Sequence, residues 1–184
     1  YGMGYFDPKA KQVRFREMTD STANTYTGGK KGGNAYLSAA GGMPGSVAKF
    51  GVIRRWTAPK DGRIFISGPL THKEKEGDGI AARVVSSRAG ELGVWNLKQS
   101  RQDVVFEHVD VKAGDTVDFI VDCRANSEGD RFVWLPVIRM EDGPEWNART
   151  QFILPGKNNG QTPLNSWEKL AQALFLTNEL IYVN

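Results

Sequence analysis

Three acidic residues, Glu91, Asp118 and Asp122, could supply the carboxyl pair that hydrolytic chemistry needs. Glycoside hydrolysis requires two carboxyl groups that face each other across a cleft at a set separation. These residues meet that condition only if their strands are neighbours. Acidic side chains on the polar face of a strand are more often solvated or paired with arginines, here Arg83 or Arg124. We therefore expect no enzyme activity, with an unrecognised hydrolase or lyase as a minor alternative.

The nucleophiles and histidines do not form a recognisable catalytic set. Cys123 is the single cysteine and ends an apolar alternation, so we expect it to be a small buried hydrophobic residue. One cysteine also rules out an internal disulfide and a Cys-x-x-Cys-His haem motif in this segment. His72 and His108 have no evident Ser or Cys partner, and together they cannot make a conventional zinc site without carboxylates.

Two oxygen-rich loops, Glu76–Gly79 and Asn126–Asp130, are candidates for binding calcium. Ca²⁺ prefers hard oxygen ligands, which makes Asp78 and Asp130 the candidate metal ligands. Neither loop follows the EF-hand pattern. Ordinary turn chemistry also accounts for Asp-Gly and Asn-Ser sequences, so a purely structural role is the alternative.

The aromatic residues suggest sugar binding. Five tryptophans are present, and Trp95 and Trp134 each follow a polar stretch from which a ring could stack on a pyranose. Four polar residues are the candidate hydroxyl-binding partners: Arg88, Glu91, His72 and Asn126. Arginines would also suit the carboxylate or sulfate groups of an anionic polysaccharide. The alternative is burial in the core, which Trp56 and Trp167 fit best.

These residues must be positioned by short β-strands. Over Thr116–Cys123, Val117, Phe119, Val121 and Cys123 alternate with polar residues, which predicts a strand buried on one face. Turn sequences containing Pro, Asp and Gly separate several similar segments between residues 52 and 141. About seven strands without intervening helices predict an all-β fold, an antiparallel β-sandwich of jelly-roll type over 52–141. A parallel α/β sheet is excluded because its crossovers are missing.

The flanking segments differ from this core. Residues 1–51 are rich in glycine and are predicted to be an irregular segment that wraps the domain, without a phosphate-binding loop. Short strands at Val13–Phe15 and near Tyr36–Leu37 are an alternative that would add this segment to the sheet. Residues 142–163 are predicted to be a linker. Residues 164–184 carry an apolar stripe at helical spacing, which predicts one C-terminal amphipathic α-helix and a tail.

Length and charge limit the class of protein. A chain of 184 residues with a formal net charge of +3 fits one soluble domain with a mixed-sign surface. The cations are not clustered, which argues against nucleic-acid binding. No apolar run approaches the ~18 residues of a membrane span.

Five stretches carry a family resemblance: Arg54–Pro59, Gly77–Ile80, Val85–Leu92, Val111–Cys123 and Trp167–Glu179. They resemble the C-terminal region of large planctomycete-type proteins that contain a cytochrome-c-like domain and domains of unknown function. The resemblance implies a periplasmic or extracellular protein, a covalently bound haem in an upstream part, and a role in polysaccharide breakdown. The turn pattern is also similar to jelly-roll modules of carbohydrate-active enzymes, a likeness of fold only.

From these observations we predict a non-catalytic carbohydrate-binding module of a larger extracytoplasmic haem-containing protein. It would contain no cofactor of its own, with calcium as a candidate exception. The alternative is a structural or docking domain that packs on other domains of the same polypeptide through its N-terminal segment and C-terminal helix.

Overall fold

The computed structural model describes residues 1–22, 25–28 and 34–148. These residues form fifteen β-strands and one short 3-10 helix, Ala48–Phe50. The strands, numbered in chain order, are β1 (Gly2–Asp7), β2 (Gln12–Glu17), β3 (Asp20–Thr22), β4 (Thr25–Thr27), β5 (Tyr36–Ser38), β6 (Gly41–Met43), β7 (Gly51–Thr57), β8 (Gly62–His72), β9 (Ile80–Ser86), β10 (Gly90–Leu97), β11 (Ser100–Val111), β12 (Thr116–Cys123), β13 (Phe132–Trp134), β14 (Val137–Met140) and β15 (Glu145–Asn147). All of the pairings between them are antiparallel. The prediction of an all-β, antiparallel fold is therefore confirmed.

The first sheet has six strands in the order β10-β9-β12-β7-β1-β2. Its centre is β12, which pairs with β7 on one side and β9 on the other. The predicted inner face is present, since Val117, Phe119, Val121 and Cys123 are buried. The prediction that the strand is buried on one face only is wrong, because Asp118, Ile120 and Asp122 on the outer face are buried as well.

The second sheet has nine strands, in the order β15-β14-β8-β13-β6-β5-β4-β3 with β11 on the free side of β8. The long strand β8 pairs with β11 along one side, and β13 and β14 follow each other along the other side. At the junction between β13 and β14 the chain of Leu135 and Pro136 approaches Gly68 closely. A Cβ atom on Gly68 would lie 2.7 Å from the Leu135 carbonyl oxygen, so this position requires glycine.

The two sheets share one hydrophobic core, in a sandwich-like arrangement. Apolar residues of both sheets line it: Val52, Val84, Val117, Ile64, Ile66, Leu70 and Ile138. Phe119 of the first sheet meets Trp134 of the second edge to face, with ring centroids 5.4 Å apart. Arg54 is also buried between the sheets and donates hydrogen bonds to the carbonyl oxygens of Ser38 and Gly41.

The prediction of an irregular wrap over residues 1–51 is wrong for the described part of that segment. Strands β1 and β2 extend the first sheet, and β3 to β6 extend the second. Strands β2 and β5 fall on the two segments for which a strand was the alternative, whereas β1 and β6 contain glycine, which has a low strand preference. Gly41 nevertheless belongs to β6, where a side chain would collide with the Phe132 carbonyl of the paired strand.

The C-terminal predictions fall largely outside the described residues. Strand β15 lies within the predicted linker 142–163 and pairs with β14. The amphipathic helix predicted for 164–184 lies outside the described residues. Within those residues, no helix has the length and apolar character needed to cross a membrane.

Candidate functional site

Trp134, predicted to stack on sugar, is instead a core residue. It is fully buried on β13, which lies between β8 and β6, and its indole Nε1 has no hydrogen-bond partner. The alternation along β13 turns Phe132 and Trp134 inward and leaves Val133 exposed. This prediction is wrong because the strand that follows the polar loop is central in its sheet.

Trp95 is half-buried at the edge of the first sheet. Its ring lies 6.1 Å from that of Phe106, which belongs to β11 at the edge of the second sheet. The pair closes the gap between the two sheet edges, and both rings pack against the core. Trp95 therefore presents only part of its surface to solvent.

The polar partners predicted for the tryptophans are not gathered around either ring. Arg88 donates from Nε to Asp115 at 2.5 Å, and Glu91 accepts from Arg83 Nη1 at 3.1 Å. Glu91 lies across from Val85 on the outer face of the first sheet, whereas Trp95 packs toward the interior. The predicted sugar site does not form as one cluster.

The outer face of the first sheet holds two buried carboxylates. Arg55 contacts both oxygens of Asp118, at 2.7 and 2.8 Å, and its guanidinium lies 4.0 Å above the Phe15 ring. Burial raises the pKa of Asp118, and Arg55 offsets part of that rise. Asp118 is paired with an arginine, as predicted, but it is not solvated.

Asp122 is the second of these carboxylates. It lies 3.6 Å from Arg83, which also pairs with Glu91. Burial raises the pKa of Asp122 to about 6 because Arg83 compensates only part of the desolvation. Asp118 and Asp122 are four residues apart on one strand, roughly 13 Å, which exceeds the separation that either class of glycosidase uses.

Cys123 is buried, as predicted. Burial raises the pKa of its thiol, and the negative charges of Asp130 and Asp122 add to the effect. The group is thus held in the unreactive protonated form. His108 is exposed on β11, with its ring against that of Phe65 at 5.2 Å.

Four predicted residues, His72, Asp78, Asn126 and Asp130, do belong to one region. They lie on the loop after β8 and the loop after β12, which we call the loop pair (residues 73–79 and 124–131, with His72 at its base). His72 is buried rather than available to a sugar: it donates from Nε2 to the Gly129 carbonyl at 2.9 Å and accepts from the Gln99 amide at Nδ1. Because Nδ1 accepts the Gln99 amide, the ring proton lies on Nε2. The hydrogen bond from Nε2 to Gly129 joins the base of the first loop to the second loop.

Within the loop pair the carboxyl groups are poorly compensated. Asp130 is fully buried, and neither of its carboxyl oxygens has a hydrogen-bond partner. Burial and the negative charge of Asp78 raise the pKa of Asp130 to about 7. Asp78 accepts from the Ala125 amide through Oδ2, which lowers its pKa, while its Oδ1 is buried without a partner. Asn126 accepts from the Glu128 amide and shapes the turn.

The structure also contains a groove that the sequence did not predict, between the β1–β2 hairpin and the 3-10 helix. This β1–β2 groove is open to solvent and has a volume of ≈ 730 Å³. Its lining combines two aromatic rings with three cations: Tyr5, Phe50, Arg14, Arg16 and Lys49. Phe15 also borders the groove, but its ring lies on the opposite face of β2, under Arg55. Among the residues that line it, none is acidic. The one sequence signal is the Arg-Phe-Arg alternation over residues 14–16, which becomes informative only once β2 is paired with β1.

Comparison of the chain with protein-family models, with curated proteins and with solved structures gives no match.

Proposed function

We propose that this protein is a non-catalytic polysaccharide-binding module that holds acidic chains in its β1–β2 groove. The observation that carries the proposal is the joint placement of two aromatic rings and three cations along one open groove whose lining contains no acidic residue. Aromatic faces stack on the apolar faces of sugar rings, and cations pair with uronate or sulfate groups.

The strand register supports this use of the groove. Tyr5 lies directly across from Arg14 in the β1–β2 pair, so a ring and a guanidinium stand side by side. Arg14 reaches Asp7 only at 3.7 Å, and its side chain is 55% exposed, which leaves its donors available to a ligand. Arg16, two cross-strand pairs further along, donates from Nη2 to the Met3 sulfur at 4.0 Å.

The state of the other reactive groups supports a binding role without catalysis. Asp118 is held by Arg55, Glu91 and Asp122 share Arg83, and Cys123 is buried. The family resemblance and the sandwich-like arrangement of the sheets support the finer parts of the proposal: a jelly-roll type of fold, a periplasmic or extracellular location, and a larger haem-containing parent protein.

Affinity electrophoresis and calorimetry test the proposal on three classes of polysaccharide: polyuronate, sulfated and neutral. We expect saturable binding to one or both acidic classes. The double variant Arg14→Gln/Arg16→Gln should weaken binding by roughly tenfold or more, since two charge-assisted contacts are lost. Arg101→Gln is the matched control, because Arg101 is an exposed arginine on β11 whose partner, Asp103, is equally exposed.

Trp95→Ala distinguishes the groove from the site that the sequence predicted. Strands β10 and β2 are opposite edges of the first sheet, so we expect this variant to bind acidic polysaccharide as the wild type does. Loss of binding in Trp95→Ala with retention in the arginine double variant would move the site to the β10 edge. A folded protein that binds none of the three classes would overturn the proposal and favour the docking alternative.

A further inference from the structure

The loop pair contains two acidic residues, Asp78 and Asp130, whose only cation within ion-pair distance among the described residues is Arg124, 4.0 Å from Asp78. Asp130 is fully buried, and neither of its carboxyl oxygens has a hydrogen-bond partner among those residues. Asp78 follows Gly77, whose backbone contacts that of Glu128, and its Oδ1 is also buried without a hydrogen-bond partner. Buried polar groups without partners are rare because each costs free energy, and three such oxygens in one place require a reason.

The nearby donors are already engaged elsewhere. Arg124 donates from Nη1 to the Asp78 carbonyl at 2.7 Å, and its Nε remains 4.0 Å from the Asp78 carboxylate. Lys98 donates to the Gly77 carbonyl at 2.6 Å. Both nitrogens of His72 have partners. Among the described residues, the three carboxyl oxygens therefore have no partner.

We propose that the loop pair is a calcium site, in which Asp130 and the Oδ1 atom of Asp78 are the protein's carboxylate ligands. Among the described residues no three His, Cys, Asp or Glu side chains are grouped for a metal, so backbone carbonyls and water would complete the shell. Ca²⁺ accepts such mixed oxygen shells of six to eight ligands in flexible geometry.

The chemistry of the donors favours calcium over the other common metals. Both ring nitrogens of His72 already have hydrogen-bond partners, so this histidine offers zinc no free imidazole nitrogen. Mg²⁺ demands near-octahedral geometry and keeps several of its waters.

The site would also hold two loops that are already in close backbone contact. A Cβ atom on Gly77 would lie 1.7 Å from the Glu128 carbonyl oxygen, and one on Gly129 would lie 2.6 Å from that of Glu76. An ion shared by both loops would strengthen this contact and stabilise the folded state in proportion to its occupancy. The inference is independent of the polysaccharide groove.

The test uses the full chain, treated with chelator and titrated with CaCl₂ or MgCl₂ in a calorimeter, with Tm followed in parallel. We expect saturable calcium binding with a Kd on the order of 10⁻⁴ to 10⁻³ M or tighter, a Tm that rises with calcium, and weaker binding of magnesium. Absence of saturable binding up to about 10 mM calcium, or equal affinity for the two ions, would overturn the assignment.

Variants locate the site. Asp78→Asn should weaken calcium binding by roughly tenfold or more. Asp78 is partly exposed, so this variant should fold more readily than one at the fully buried Asp130. A folded Asp130→Asn variant should weaken binding to a similar extent. Asp110→Asn is the control, because the Asp110 side chain is 80% exposed and pairs only loosely with Arg63. Calcium binding that is unchanged in Asp78→Asn, or weakened equally in Asp110→Asn, would contradict the proposal.

Discussion

Asp122 shows at the scale of one residue how burial can outweigh an ion pair. Arg83 lies 3.6 Å away, yet the pKa of Asp122 rises from 3.8 to about 6, because desolvation is the larger effect. Such a carboxyl is more easily protonated in the folded than in the unfolded protein. Its contribution to stability is therefore most favourable below pH 4 and is lost as the pH rises through 6.

Asp122→Asn should consequently stabilise the protein at pH 8 and have little effect near pH 4. A pKa difference of this size corresponds to about 3 kcal/mol, so we expect a gain of about 1–3 kcal/mol at pH 8. Urea denaturation of the two proteins at both pH values measures it, with Asp110→Asn as an exposed control. An equal effect at the two pH values would show that Asp122 is not perturbed by burial.

The Arg55–Asp118 pair has a closer geometry than the Arg83–Asp122 pair, and it offsets part of the effect of burial on Asp118. Its two short contacts and the stacking of Arg55 on Phe15 depend on a planar guanidinium. Arg55→Lys should therefore lower the free energy of unfolding by about 1–3 kcal/mol, whereas Arg63→Lys, at the exposed pair with Asp110, should change it by less than about 0.5 kcal/mol. Equal effects in thermal denaturation would contradict this account.

Among the strands, β8 depends on a single glycine. Gly68 has a φ of +152° and lies against the backbone of Leu135 and Pro136, at the junction between β13 and β14. Gly90 has a φ of +80°, but a Cβ atom there would meet nothing within 4 Å. Both glycines have a positive φ, but a Cβ atom would collide with neighbouring backbone only at Gly68.

Gly68→Ala should cost about 2–4 kcal/mol, because the new methyl group forces β8 and the β13–β14 junction apart. Gly90→Ala should lower the free energy of unfolding by only about 1 kcal/mol, because alanine disfavours the left-handed backbone conformation by about that amount. Denaturant midpoints for the two variants give the comparison. A cost at Gly68 no greater than at Gly90 would show that the junction adapts to the side chain.

A strand could be predicted from the sequence where apolar side chains recur at every second residue. Residues 116–123 carry apolar side chains at alternate positions, which predicted the strand and its inner face correctly but not the burial of its outer face. Strand β6 consists of Gly-Gly-Met and owes its existence to pairing with β5 and β13, which no local pattern reveals. The β1–β2 groove was missed for the same reason, since its residues become neighbours only through pairing.

Asp78 and Asp130 lie in oxygen-rich loops that the sequence singled out, and the two loops are in backbone contact, but calcium binding there stays a prediction. The accessibility of Trp95 and Trp134 depends instead on the position of β10 at an edge and of β13 inside its sheet. The order of strands in a sheet depends on pairing between distant segments. The local sequence therefore did not distinguish the buried ring of Trp134 from the partly exposed ring of Trp95.

For the whole molecule, the central claim is that one groove at the β1–β2 edge of the first sheet binds acidic polysaccharide. Since the groove cations are exposed, binding should weaken as ionic strength rises and the Debye length falls from about 30 Å at 0.01 M to about 8 Å at 0.15 M. Calorimetric titrations at these two salt concentrations test this. A Kd independent of salt would argue that the cations do not contact the ligand.

The most direct measurement is an NMR titration of the ¹⁵N-labelled protein with an acidic oligosaccharide, read as amide and indole shift changes. The account predicts saturable changes concentrated in β1, β2 and the 3-10 helix, with the Trp95 indole signal unmoved. Changes centred on Trp95 and β10, or no saturable change with a folded protein, would contradict it.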